Sequence, residues 1–400
     1  MRIISRNGLA IPKFAIYLIL ARSPFFVFFV ALYYFFNKSG FYFFIKKIYL
    51  FIFFILLACL YSLVQGNSTG LVLGQAKDIL LSLIVLFFLV SFCIVNKNGD
   101  YTVYKSLRFG FIFIAVIKIL ILVFAIATGT NPMDIIRSIS EVWGVDMMTL
   151  GVEDSNVVRI QIPMDAITPF IIYFCVHEML NTKVKISNIL TLALLLSSVL
   201  LTMSRYFWAE AVFLVLLSFL LNGRFKSWLY SSVVVLVISF FIYFMTPLGE
   251  VINSILNARM DSMLNSASDM SRTLQINAIF TAIENKPFFG YGIGYYLPNM
   301  IRSYDVKYLY ENQSLSMIMS LGAIGFLILC GMLLGSFLTP ELLSGRLNVS
   351  NLIIGLIMFA LWMAGGSFNP FLFGASGGII LFFCARYSHI SEKIQANIIK

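Results

Sequence analysis

The sequence predicts an all-α fold, a polytopic transmembrane helical bundle of about 11–12 spans with one large outer loop. Three observations predict it. Of the 400 residues, 60% are hydrophobic and 12% charged, where a soluble domain is about half apolar and about 25% charged. The apolar surplus is gathered in runs such as "ILLSLIVLFFLVSFCIV" (Ile79 to Val95) and "WLYSSVVVLVISFFIYFM" (Trp228 to Met245). Runs near 20 residues suit a hydrocarbon core about 30 Å thick. The excess of Lys and Arg lies mostly in short connections between these runs, which is the pattern of cytoplasmic loops.

In chain order the spans are expected at about 48–65, 79–95, 108–128, 160–178, 188–203, 207–221, 228–247, 313–338, 350–368 and 370–387. Basic loops carrying Lys97, Lys105 and Arg108, then Lys183 and Lys185, then Arg224 and Lys226, are assigned to the cytoplasm. Alternation then places 129–159, with Asp134, Glu141, Asp146, Glu153 and Asp154, on the outer side, together with the long stretch 248–312. Arg2, Arg6 and Lys13 precede residues 14–36, and Lys38, Lys46 and Lys47 follow them. One span cannot leave both groups inside, so a short hairpin turning at Arg22-Ser23-Pro24 is expected, with both termini cytoplasmic. The chain reads as a single integral-membrane domain, 1–400, whose one soluble-sized feature is the loop 248–312.

The net charge of +10 is accounted for by topology, so no nucleic-acid partner is expected. Cys59, Cys93, Cys175, Cys330 and Cys384 fall in or beside apolar runs without metal-ligand spacing, and neither a disulfide framework nor a metal site is expected. The N-terminal region has no small-residue cleavage site and is followed by more spans, against a cleavable signal peptide.

Chemistry-bearing residues gather in three places. "SRTLQINAIFTAIEN" (Ser271 to Asn285) has helical periodicity and is too short and polar to span, so it is expected as an interfacial amphipathic helix. Arg272 falls on its apolar face with Ile276 and Ile283, opposite Asn277, Thr281 and Glu284. A guanidinium there meets either an anionic partner or a lipid headgroup. "NKPFFGYGIGYY" follows. With no strand–turn–helix unit around it, it is not a dinucleotide fingerprint. Its glycines suit close approach of a ligand or a neighbouring chain, or a re-entrant turn.

In the second place, "TMSRYFWAEAV", Ser204 and Arg205 form a short outer turn and Glu210 lies further along. Asp165, in "IQIPMDAITPF", is a possible partner for Arg205. Intramembrane ionisable residues of this kind serve function or a structural ion pair. In the third, "YLYENQSLSMIMSLGAIGF", Glu311 and Asn312 stand at the mouth of a span in which Gly322 and Gly325 allow close packing. A carboxylate there acts as a general base or caps the helix start.

In this order the groups resemble the O-antigen polymerase and ligase superfamily of bacterial envelope glycosyltransferases. The resemblance covers roughly residues 190 to 335. It rests on Ser204-Arg205 at an outer turn, an arginine-led helix from Arg272 running into "NKPFFGYGIG" (the family's NPxxGxGxG), and a glycine-dotted span after Glu311-Asn312. A histidine usually stands where Glu311 is; its absence, with His177 and His389 both off the outer side, favours the polymerase (Wzy-type) branch.

The resemblance implies transfer of glycan repeat units carried on undecaprenyl diphosphate, at the periplasmic face of the bacterial inner membrane. The implied partners are the lipid-linked donor and acceptor, membrane lipids and a chain-length regulator protein; no cofactor is implied. Arg272 and Arg205 are expected to hold the diphosphate and Glu311 to act as base or to orient the acceptor. Arg159, Arg302, Asn312, Asp165 and the glycines Gly290, Gly292 and Gly294 are expected to bind substrate. The alternatives are a ligase acting on lipid A-core and, from another class, a lipid-linked oligosaccharide flippase. A flippase would be expected to have short loops on both sides.

Overall fold

A computed structural model describes residues 10–143, 159–182, 185–223, 262–304, 306–343 and 349–396. The expected span 228–247, the first part of the outer loop (248–261), and Asp146, Glu153 and Asp154 lie outside the described residues. So do the basic residues Arg2, Arg6, Lys183, Arg224 and Lys226. Among the described residues there are thirteen α-helices, one 3-10 helix and no strand. Five helices among them are long and apolar enough to cross a membrane. The protein is an all-α, multi-pass helical membrane protein, as its sequence predicts. A lipid core leaves backbone groups no water to bond, so helices that satisfy their own are the natural outcome of such runs.

Contacts gather the chain into two compact units. The first contains residues 1–106 and 270–393. It begins with the expected hairpin, α1 (Ala10–Leu20) and α2 (Phe26–Phe36), turning at Arg22 with φ of 54°. Each arm has 11 residues, about 16 Å of helix and half the hydrocarbon core. Next, α3 (Lys38–Val64) starts where the Asn37 side chain accepts the Gly40 N–H at 3.0 Å. It exposes Phe41, Tyr49, Phe53, Leu57 and Leu60, a face suited to lipid rather than water. Its antiparallel neighbour α4 (Thr69–Val95) is buried instead, through Ile79, Leu83, Leu86, Phe88 and Phe92.

Later in this unit, α11 (Gln313–Leu343) does not run through as one helix: Gly322 adopts φ 69° and ψ 171° and breaks it. The broken turn leaves carbonyls and amides without helical partners, and a loop supplies them. Tyr291 and Gly292 N–H donate to the Met319 and Ser320 carbonyls at 3.0 and 2.8 Å, while Ala323 and Ile324 N–H donate to Pro287 and Phe288 at 2.8 and 3.2 Å. The expected helix-packing role of Gly322 is therefore corrected to a helix break. After α12 (Val349–Phe368), the span expected at 370–387 starts as helix only at Ala375, forming α13 (Ala375–Ala396). The intervening segment is secured by neighbours: Leu372 N–H donates to Gln313 at 2.7 Å, and Gly374 O accepts from Ser82 at 2.8 Å.

The second unit contains residues 107–269 and 394–400. Here α5 (Gly99–Thr128), shared between the units, leads to α6 (Pro132–Trp143). The acidic stretch 129–159 was expected only as a loop. Its adjacent Ile135 and Ile136, with Ile139 one turn on, pack with Ile121 and Ile160. A 3-10 helix (Pro163–Ile167) precedes α7 (Thr168–Asn181), which packs on α8 (Ile186–Leu201) and α9 (Arg205–Leu221). The expected interfacial helix, α10 (Ser262–Asn285), is longer than the expected 271–285 and contributes to both units.

Candidate functional site

In the first unit, α10 turns Gln275, Ile279 and Ala282 inward and Asn277, Thr281 and Glu284 outward. Arg272 stands one turn before Gln275 on the inward side, as helical projection predicts. Its partner is protein: Arg272 Nε donates to Glu311 Oε2. Arg302 brings a second guanidinium to Oε1 of the same carboxylate at 3.4 Å. The side chains of Arg272, Glu311 and Arg302 are 34%, 25% and 28% exposed, so the cluster can be reached from outside. Burial lowers the Arg302 pKa from its ordinary value, Arg272 adds to the shift, and Glu311 opposes it.

Two anchors hold Glu311. Its N–H donates to Gln275 Oε1 at 2.8 Å, and α11 begins two residues later. The capping expected of Glu311 is done by Asn312, whose Oδ1 accepts the Leu315 N–H at 3.0 Å. Tyr310, fully buried, accepts the Leu297 N–H at 2.6 Å, and burial pushes its phenol up to about 12. Asn312 is thus a structural neighbour of the cluster rather than part of its exposed surface.

The glycines expected to bind substrate meet protein instead. Gly290, Gly292 and Gly294 have φ of 63°, 88° and 79°, a region side chains rarely adopt. A Cβ on Gly290 would lie 2.5 Å from Gly322 N, one on Gly292 2.7 Å from Ser62 Cα, and one on Gly294 2.5 Å from Val72 N. The loop is then pinned by α3, α4 and their connection. Tyr61 donates to Gly290 O at 3.1 Å and Asn67 to Tyr291 O at 2.8 Å, while Gln75 accepts from Gly294 N–H at 2.5 Å. Of the readings left open by spacing, close approach of a neighbouring chain is the one observed, and the glycines present no ligand cradle.

The remaining expected site residues lie in the second unit. Arg205, at the start of α9, is half exposed and pairs with Asp269 at 3.0 Å. Asp165 is not its partner: fully buried, Asp165 binds Lys118 Nζ at 2.6 Å and the Ile162 N–H at 2.8 Å. Arg159 is buried too, donating to the Thr202 carbonyl at 3.0 Å and to Gln161. It closes the C-terminal end of α8, where exposed carbonyls favour a cation. Glu210 is buried and accepts the Tyr206 hydroxyl at 3.2 Å.

Sequence reasoning missed Lys118, Gln275 and Asp269. A lone lysine inside "FIFIAVIKILILVF" was a usable signal, since an intramembrane charge wants a partner. Gln275 carried none beyond its helical phase with Arg272. Among the described residues no group of three His, Cys, Asp or Glu side chains could hold a metal ion.

What the first-unit cluster offers chemically is two guanidinium forks around one anionic position. Such forks bind carboxylate or phosphate oxygens in matched geometry and stay charged. Residues 190–330 match a family model, Wzy_C, described as O-antigen ligase. The match includes Arg205, Arg272, the glycine loop, Arg302 and Glu311, and it ends beyond the break in α11. No curated protein and no solved structure matches the chain. Over residues 190–330 this multi-pass membrane protein is similar to the O-antigen ligase family model, a likeness that supports the O-antigen polymerase and ligase superfamily.

Proposed function

We propose that the chain is a Wzy-type polysaccharide polymerase, joining undecaprenyl-diphosphate-linked repeat units at the periplasmic face of the bacterial inner membrane. The observation that carries this reading is the convergence of Arg272 and Arg302 on Glu311 within the matched segment. In the reaction, a hydroxyl oxygen of the incoming unit bonds to the anomeric carbon of the growing chain. The bond from that carbon to the diphosphate oxygen breaks, and undecaprenyl diphosphate leaves with the electron pair. The hydroxyl proton passes to a base, which we assign to Glu311.

The leaving diphosphate is the charge to be stabilised, and preorganised cations suit it. Arg272 and Arg302 are assigned to it. A partly exposed site on a loop pinned to transmembrane helices would admit a lipid-borne substrate while fixing its reacting end. A separate chain-length regulator is the expected protein partner.

The family description favours a second reading, a ligase that moves finished glycan to lipid A-core. The lipopolysaccharide ladder of a deletion strain separates them. A single repeat unit on core supports polymerase; core without glycan overturns it, in favour of ligase or of a flippase.

A further inference from the structure

The first unit has another cleft, remote from the glycine loop. That loop touches α3 near Ser62, whereas the cleft lies around Phe43 and Lys47 of the same helix. Fifteen helical residues from Lys47 to Ser62 correspond to about 22 Å along the axis. The cleft is a shallow groove open on one side, with a cavity volume of ≈ 40 Å³. Its walls come from four helices: Phe43 of α3, Phe87 and Val90 of α4, Phe337 of α11 and Ala385 of α13.

Its polar lining is cationic. Lys47 and Arg386 both line it, with His389 beside them and no carboxylate. Arg386 is oriented by Asp100, which accepts from Nε at 2.7 Å and from a terminal nitrogen at 2.9 Å. Lys47 lies 5.9 Å from the centre of the Phe43 ring and makes no ion pair among the described residues. The neighbouring chain is basic as well, with Lys38 and Lys46 at the start of α3 and Lys97 just after α4.

We propose that this cleft is a binding site for an anionic phospholipid, whose acyl chain lies against the aromatic walls and whose phosphate sits at Lys47 and Arg386. The charge pattern selects that occupant. An apolar groove alone would take any acyl chain. Asp100 matches the charge of Arg386, so the charge of Lys47, unpaired among the described residues, is what favours a headgroup with net negative charge, with the Arg386 guanidinium beside it. Basic pockets between transmembrane helices hold such headgroups.

Native mass spectrometry of the purified full-length protein in detergent, with added phosphatidylglycerol or phosphatidylethanolamine, tests the site. The expected result is retained phosphatidylglycerol in preference to phosphatidylethanolamine. Lys47→Glu should reduce that preference at least fivefold, and Val90→Trp should abolish retention by filling the groove with the charges intact. Lys47→Gln, a milder change, should weaken the preference and guards against misfolding of the charge reversal. Equal retention of the two lipids overturns the proposal, and so does a preference that survives either Lys47→Glu or Val90→Trp in folded, monodisperse protein.

Discussion

Gly290 and Gly322 meet backbone to backbone, so that a Cβ on Gly290 would lie 2.5 Å from the Gly322 nitrogen. Both have positive φ, 63° and 69°. One belongs to the loop between α10 and α11 and the other to the break in α11, and neither feature makes sense alone. The break strands backbone groups inside an apolar helix, and the loop satisfies them only because it can come within hydrogen-bonding distance.

Alanine at Gly322 should therefore damage the fold rather than the chemistry. A backbone at φ 69° and ψ 171° is essentially open to glycine alone and costs another residue about 1–3 kcal/mol, and the new Cβ collides with the Phe288 carbonyl. Thermal unfolding in detergent should show a clear loss of stability for Gly322→Ala. Gly331→Ala, where a Cβ meets nothing within 4 Å, should be neutral or slightly stabilising.

Arg272 and Arg302 should behave alike in function. Arg272→Ala and Arg302→Ala are each expected to lower polymerisation by roughly 10²-fold or more, the usual scale for losing one stabilising donor. Arg272→Lys should recover little, because a point charge does not reproduce the fork. Ladder length at matched membrane levels is the measurement, and a normal ladder from Arg272→Ala would remove this residue from the site.

Glu311 separates base from cap. Since Asn312 supplies the capping oxygen, Asn312→Ala should cost about 1 kcal/mol of stability with most activity kept. Glu311→Gln keeps the shape but loses the charge between two guanidiniums, and should cut activity by roughly 10²-fold or more. In vitro polymerisation beside thermal unfolding distinguishes the two variants. Activity near wild type in Glu311→Gln would reject it as the base.

Asp165 makes the opposite prediction. It is buried against Lys118, and removing one member of such a pair strands a charge at about 3–5 kcal/mol. Asp165→Ala should lower the amount of folded protein, and Lys118→Met with Asp165→Leu should restore much of it. Activity per folded molecule should change little in the double variant.

Tyr304 tests sidedness. It is 84% exposed, between Arg302 and the start of α11. A Tyr304→Cys variant in intact cells should react with a membrane-impermeant maleimide. Labelling only after the inner membrane is opened would place the cluster on the other face.

The class of fold was legible in the apolar runs alone. Uninterrupted apolar runs must become helices in lipid, so most expected spans reappear as helices with shifted ends, and five helices among the described residues are long and apolar enough to cross a membrane. The helical phase of α10 was also legible, because a period of 3.6 residues puts Arg272 on the same side as Ile279 whatever the rest of the chain does. Local spacing could not say what Arg272 faces. Its carboxylate partner stands 39 residues further on, and only folding brings Glu311 and Arg302 there.

The same limit explains the residues whose expected roles changed. An arginine beside an outer turn, or an aspartate near a span end, has one sequence signature whether it binds substrate or ties helices together. Arg159 and Asp165 have buried protein partners, a fact of three-dimensional neighbours. Glycine spacing announced a close approach, but what approaches is set by the break at Gly322, whose stranded amides and carbonyls draw the loop in. Local sequence governs helix and phase because those depend on neighbouring residues; partnership depends on contacts between distant ones, and only the tertiary structure decides it.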